Sequence, residues 1–214
     1  MRTITVKGVG RASAKPDLVV LSMDMETVAK EYDKAMEYAV ARIELLSSTL
    51  CEIGFAKDAL KTTDFDVDVK RESVKDKDGN YKSVFIGYAC RHRLKLEFDM
   101  DSERLGEVLN TISESLADPS LSVEFTVKNP SAVSAELLRS ATQNAREKAE
   151  ILCSAAGVKL GALVAIDYNW TDINFRSETA YNCMPRLMKC STRMDITPDD
   201  IDVSDNATFV WEIE

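Results

Sequence analysis

Two cysteines and three methionines crowd into one stretch of twelve residues: Cys183, Met184, Met188, Cys190 and Met194. Thiolate and thioether sulfurs are soft donors, and such a set selects Cu(I). The same two cysteines also fit a redox disulfide. The plainer reading is preferred: these are apolar side chains that anchor a long irregular loop or bury against a second subunit. No residue is therefore assigned as a metal ligand, and these five stand as the sole candidates. His92 is the single histidine, and it falls between Cys90 and Leu94 on the apolar face of a strand pattern. Two residues apart on one strand face, Cys90 and His92 sit about 7 Å from each other. A zinc site would need further ligands from elsewhere, so a buried or bulge-exposed histidine is expected. Asp64, Asp66 and Asp68 share a strand face. Calcium loops also need backbone carbonyls and a glycine-supported bend, which a straight strand does not supply. Gly8-Val9-Gly10 lacks the third glycine of a dinucleotide fingerprint, since Ser13 stands there and no helix follows to bind a pyrophosphate. Glycines in a strand, where a bulge or a neighbouring backbone comes close, are the expectation. Nucleophile elbow, Walker loop, HExxH and CxxC are all missing from the sequence. No catalytic and no cofactor-binding residue is assigned.

The elements that must position these groups follow from apolar periodicity. Thr3 to Ala14 alternates, Lys15-Pro16-Asp17 signals a turn, and Val19, Leu21, Met23 and Met25 alternate again, which predicts a hairpin. Ala35, Ala39, Ile43, Leu46, Leu50 and Ile53 form a helical stripe that Gly54 is placed to cap. A long hairpin is expected over 61–98. A two-residue turn at Gly79-Asn80 would set Asp64 against Lys95, Asp66 against Arg93 and Asp68 against Arg91. Its second strand, Val84 to Phe98, would reach about 50 Å, longer than one compact layer needs. Leu105, Leu109, Ile112 and Leu116 mark a second helix, and 121–127 a strand. Asn129-Pro130-Ser131 opens a third helix, with a stripe of Leu138, Ala141, Ala145, Ala149, Leu152 and Ala156 and with Gly157 as its cap. Strands follow at 162–168 and 207–213, separated by an irregular segment of about 171–200. The order ββαββαβαββ predicts an α+β fold, a largely antiparallel sheet with helices packed on one face and the hairpin 61–98 protruding. No linker divides 1–214, so one domain is expected.

Composition narrows the function classes. The chain has 214 residues, enough for a sizeable core, with 45% hydrophobic and 29% charged. Its formal charge of -9 repels phosphate backbones and anionic membrane surfaces. No apolar run is long enough to span a bilayer. The first ten residues alternate and carry Arg2 and Lys7, without the apolar core of a signal peptide. Five cysteines, an odd number, read as reduced thiols. Together these predict a cytoplasmic location, or a periplasmic one if a leader was removed.

Five segments in order resemble the SIMPL family: "ITVKGVGRASAKPDLVVLSMDMET", "EIGFAKDALKTTDFDV", "FIGYACRHRLKLEF", "LLRSATQNAREKAEILCSAAGVKLGALVAI" and "ATFVWEIE". The resemblance covers nearly the whole chain outside about 171–200. It implies a bacterial protein without an agreed enzymatic activity, often periplasmic or surface-exposed. It also implies homo-oligomeric assembly and a link to envelope or oxidative stress. The resulting expectation is a non-enzymatic, self-associating protein without cofactor, nucleic acid or membrane span. A soft-metal or thiol-redox binder using 183–194, and a small-molecule enzyme with a site invisible in sequence, are the alternatives.

Overall fold

The structure, a computed structural model, describes residues 2–75, 80–169, 172–183 and 196–214. The order is β1 (Thr3–Ala14), β2 (Leu18–Ala29), α1 (Tyr32–Glu52), β3 (Lys61–Lys75), β4 (Tyr81–Asp99), α2 (Ser102–Glu114), β5 (Ser120–Thr126), α3 (Pro130–Ala156), β6 (Leu160–Asp167), β7 (Arg176–Cys183) and β8 (Ile201–Ile213). The fold is α+β, and the predicted order holds apart from the additional strand β7. Two compact units form. One comprises Met1–Asp17, Thr126–Glu178 and Pro198–Glu214, and the other Leu18–Phe125 and Thr179–Thr197.

The first unit is a three-stranded sheet, β1-β8-β6, with α3 packed on it. Both strand pairs are antiparallel. Val6, Ala207, Phe209 and Trp211 meet Ala145 and Ala149 of the helix. Phe209 and Trp211 stack with ring centres 5.5 Å apart. The buried face of α3 is Leu137, Ala141, Ala145, Ala149 and Cys153, a four-residue repeat. Its central alanines match the expected stripe, but its ends do not. Leu138, Leu152 and Ala156 are exposed, because a helix turns 3.6 residues per turn and a fixed spacing selects one row. Asn129 caps the start by accepting from the Ala132 amide at 3.1 Å, and Gly157 ends the helix in the left-handed region.

The second unit is a five-stranded sheet, β3-β4-β2-β5-β7, with α1 and α2 over one face. Val19, Leu21, Met23 and Met25 of β2 bury their side chains with Leu94 and Leu96 of β4 and Leu121, Val123 and Phe125 of β5. Leu46 and Leu50 come from α1, and Leu105, Val108, Leu109 and Ile112 from α2. Each such side chain contributes about 1.5–3 kcal/mol by leaving water. Asp101 caps α2, accepting from the amides of Glu103 and Arg104 at 2.9 and 3.2 Å. Leu116 lies past the helix end and is 87% exposed, so it is not the last member of the α2 stripe.

Two pairings differ from expectation. β1 and β2 make no hairpin, since β1 pairs with β8 and β2 with β4. Alternation defines a strand and its buried face but does not choose the partner. The long hairpin does form, but with Asp64 opposite Arg93, Asp66 opposite Arg91 and Asp68 opposite Ala89. The register is two residues away from expectation, which keeps every side chain on its face. Between Lys70 and Arg71 it shifts again, so that Arg71 opposes Phe85. This irregularity lets Phe85 touch Tyr88, ring centres 5.6 Å apart, although residues three apart on a regular strand point to opposite faces.

Candidate functional site

Charge concentrates on the face of the second unit's sheet opposite its core. There β4 supplies bases and both its neighbours supply acids. One row runs Asp64, Arg93, Asp24 and the next Asp66, Arg91, Glu26. Arg93 Nε lies 2.7 Å from Asp24 Oδ1. Arg91 Nε lies 3.1 Å from Glu26 Oε2, and its Nη1 is 3.4 Å from both Asp66 and Asp68. Lys70 also pairs with Glu26. Hydrogen bonding to Lys70, ahead of the opposing effect of burial and further help from Arg91, holds the Glu26 carboxyl below the usual carboxylate range. The Glu26 and Asp24 hydrogen bonds in turn raise Arg91 and Arg93. These are exposed pairs screened by water, so they fix register more than they stabilise. Asp66 and Asp68 therefore face a guanidinium, not a vacant cation site. Among the described residues no group of three or more His, Cys, Asp and Glu could hold a metal ion.

His92 lies beside this face but turns to the core side, opposite Met25 and Phe65. Its Nε2 shares a 2.8 Å hydrogen bond with the Thr62 hydroxyl, and its ring meets Phe65 edge-on at 5.0 Å. Nδ1 is buried without a partner. Burial pushes its pKa below the ordinary 6.5, so the ring is neutral at pH 7. Burial first, and then the Asp66 charge, push the Cys90 thiol up. A protonated thiol and a histidine held by a threonine make no nucleophile and base. The histidine is half-buried, with its Nδ1 atom shut off from solvent.

Gly8 and Gly10 face α3. A Cβ on Gly8 would overlap the Ala141 carbonyl oxygen and come within 2.7 Å of the Ala145 Cβ, and one on Gly10 would overlap the Leu137 carbonyl oxygen. The glycines thus let a helix lie directly against β1, as expected of a close backbone approach. The free edge of β1 is closed by the same helix. The Val9 amide donates to Asn144 Oδ1 at 3.0 Å, the Arg11 amide to Ser140 Oγ at 3.1 Å, and Lys148 Nζ to the Lys7 carbonyl at 3.2 Å. An open groove of about 750 Å³ runs there, lined by Arg11, Arg139 and Lys148 with Glu136 and Glu147. Its carboxylates alternate with bases and do not converge on one point.

The sulfur-rich candidates are not brought into view. Met184, Met188, Cys190 and Met194 lie outside the described residues, as does the side chain of Cys183 at the end of β7. Cys90 and Cys153 are buried free thiols, and Cys51 is an exposed one.

Exposed apolar surface is the more distinctive feature. On the long hairpin, Phe65, Val69, Val74, Tyr81, Val84 and Phe85 are all exposed. On β6, every residue from Ala162 to Asp167 is exposed, including Leu163, Val164 and Ile166. β6 is an edge strand, paired with β8 on one side. Among the described residues no strand pairs with its other side.

A family model described as SIMPL, protein of unknown function (DUF541), matches residues 4–211. The chain belongs to the SIMPL family. Two curated relatives are the 26 kDa periplasmic immunogenic proteins of Brucella abortus (strain S19) and Brucella melitensis biotype 1. Each is 26% identical over 163 residues, which is 76% of this chain and 65% of the relative. The match therefore spans slightly less than two thirds of their length.

Two residues of this SIMPL chain hold unit two together and were not singled out by sequence. Arg42 of α1 donates to the Glu26 carbonyl at 2.7 Å, to the Ala117 carbonyl at 3.0 Å through Nε, and to the Asp118 carbonyl at 3.3 Å. It ties the end of β2 to the loop after α2. Arg104 of α2 donates to the Ile53 carbonyl and lies 4.5 Å over the Phe55 ring. Each occupies a polar position of a helix, and nothing in periodicity separates a clamp from a solvated charge.

Proposed function

We propose that this chain is a non-enzymatic, self-associating SIMPL protein whose working surfaces are exposed β-strands. The observation that carries the reading is the pair of apolar surfaces, one on β6 and one on the β3–β4 hairpin. Large exposed apolar patches on a folded protein mark interaction sites, and an unpaired apolar edge strand is a template for another strand. Against chemistry stand the neutral, threonine-held His92 and the raised Cys90 thiol. The open groove along β1, whose charges do not converge, points the same way.

The compartment we propose is the periplasm, in place of the cytoplasmic location expected from composition. Its support is that both Brucella relatives are named as periplasmic proteins. The link to envelope or oxidative stress that the family resemblance implies belongs to the same reading. Among the described residues no helix is long and apolar enough to cross a membrane.

Isotope-mixed cross-linking tests self-association. Unlabelled and ¹⁵N-labelled chains are mixed, allowed to exchange and cross-linked. Peptide pairs joining a light and a heavy chain are expected. Cross-links found only within single chains, at every protein concentration, would refute the reading.

A further inference from the structure

The two edges of the first unit's sheet are not equivalent. The β1 edge is closed, because Asn144 and Ser140 take up the amides of Val9 and Arg11 and Lys148 binds the Lys7 carbonyl. A strand cannot add there without displacing α3. The β6 edge is open among the described residues, and the strand shows Leu163, Val164 and Ile166 at 48%, 45% and 56% exposure. Natural edge strands usually carry charges that repel a second strand. From Leu160 to Ile166 this one carries none, and its charges stand only at the two ends, Lys159 and Asp167.

We infer that β6 is the site at which a second copy of this chain docks, antiparallel and about a two-fold axis at Leu163. This rests on the self-associating reading above and names its surface. The argument is the self-complementarity of the strand. In that register Leu163 meets the partner's Leu163, Ala162 meets the partner's Val164, and Leu160 meets the partner's Ile166. Lys159 faces the partner's Asp167, and by symmetry Asp167 faces the partner's Lys159. Apolar thus meets apolar along the strand and opposite charges close both ends. Both end residues are exposed, and neither is in an ion pair among the described residues. β6 steps out of register with β8 between Leu160 and Leu163 and again between Leu163 and Ala165. Ile151 and Leu152, in the last turns of α3 before β6, are also exposed.

Light scattering of the full chain at graded concentrations tests this on wild type, Leu163→Asp, Lys159→Asp, Asp167→Lys and the double swap Lys159→Asp/Asp167→Lys. All the substituted side chains are exposed or at the strand end, and circular dichroism confirms that each variant is folded. Leu163→Asp, which sets two carboxylates together on the axis, is expected to abolish the β6 contact. Each single charge change is expected to weaken it about three- to tenfold, and the double swap to restore it. Wild-type assembly that is unchanged by Leu163→Asp would overturn the β6 site while leaving self-association standing. Loss with Leu163→Asp but no rescue by the double swap would overturn the register. A monomeric wild type would overturn both the site and the reading on which it rests.

Discussion

Gly8 lies so close to Ala141 that a single methyl group on the glycine would occupy the place of the helix carbonyl oxygen. The neighbouring atom is backbone, so no rotamer change relieves the overlap. Gly8→Ala is expected to cost the first unit at least the upper part of the about 1–3 kcal/mol range for overpacking. Gly10→Ala, against Leu137, should behave alike. Gly106 in α2 gives the contrast, since nothing lies within 4 Å of a Cβ there. Gly106→Ala should stabilise by about 0.5–1 kcal/mol through helix propensity. Urea unfolding midpoints compare the three. Equal effects at Gly8 and Gly106 would contradict the packing account.

Arg42 carries the second prediction. The Ala117 carbonyl it satisfies belongs to a fully buried residue. Arg42→Met keeps much of the stem but leaves that acceptor without its donor, at a cost of about 1–3 kcal/mol. Arg42→Lys should recover only part, because one ammonium cannot replace a fork that spans two segments. Chemical denaturation would measure both, and a neutral Arg42→Met would show the clamp to be idle.

The third prediction concerns pH. Burial lowers the pKa of His92 in the folded chain below the unfolded value near 6.5. Between those two values the unfolded chain binds more protons. Stability is therefore full above about pH 6.5 and is lost as pH falls from there through the folded pKa. His92→Gln removes this loss, so the drop in unfolding midpoint from pH 7 to pH 5 should be smaller in the variant than in wild type. An identical drop would show that His92 does not titrate differently on folding.

Local pattern carried the elements and stopped short of their partners. The stripes of α1 and the centre of α3 were legible because one helical period repeats an apolar face. The glycines of β1 were legible as a close approach, but the helix that approaches them lies more than a hundred residues away in sequence. The charge rows were legible as a ladder, yet the register was displaced by two residues. A two-residue slip leaves every face unchanged, so alternation alone could not choose between them. The three-way rows through Asp24 and Glu26 depend on a third strand, which a two-strand comparison leaves out. Ser140, Asn144 and Arg42 read as polar surface because their partners are main-chain atoms, which no sequence displays.

We propose that this chain acts by contact between copies instead of by chemistry. Sedimentation velocity of the wild-type chain over a hundredfold range of concentration tests that most directly. The expected result is a weight-average sedimentation coefficient that rises with concentration toward a dimer or larger assembly. A single monomeric boundary across the whole range would contradict it.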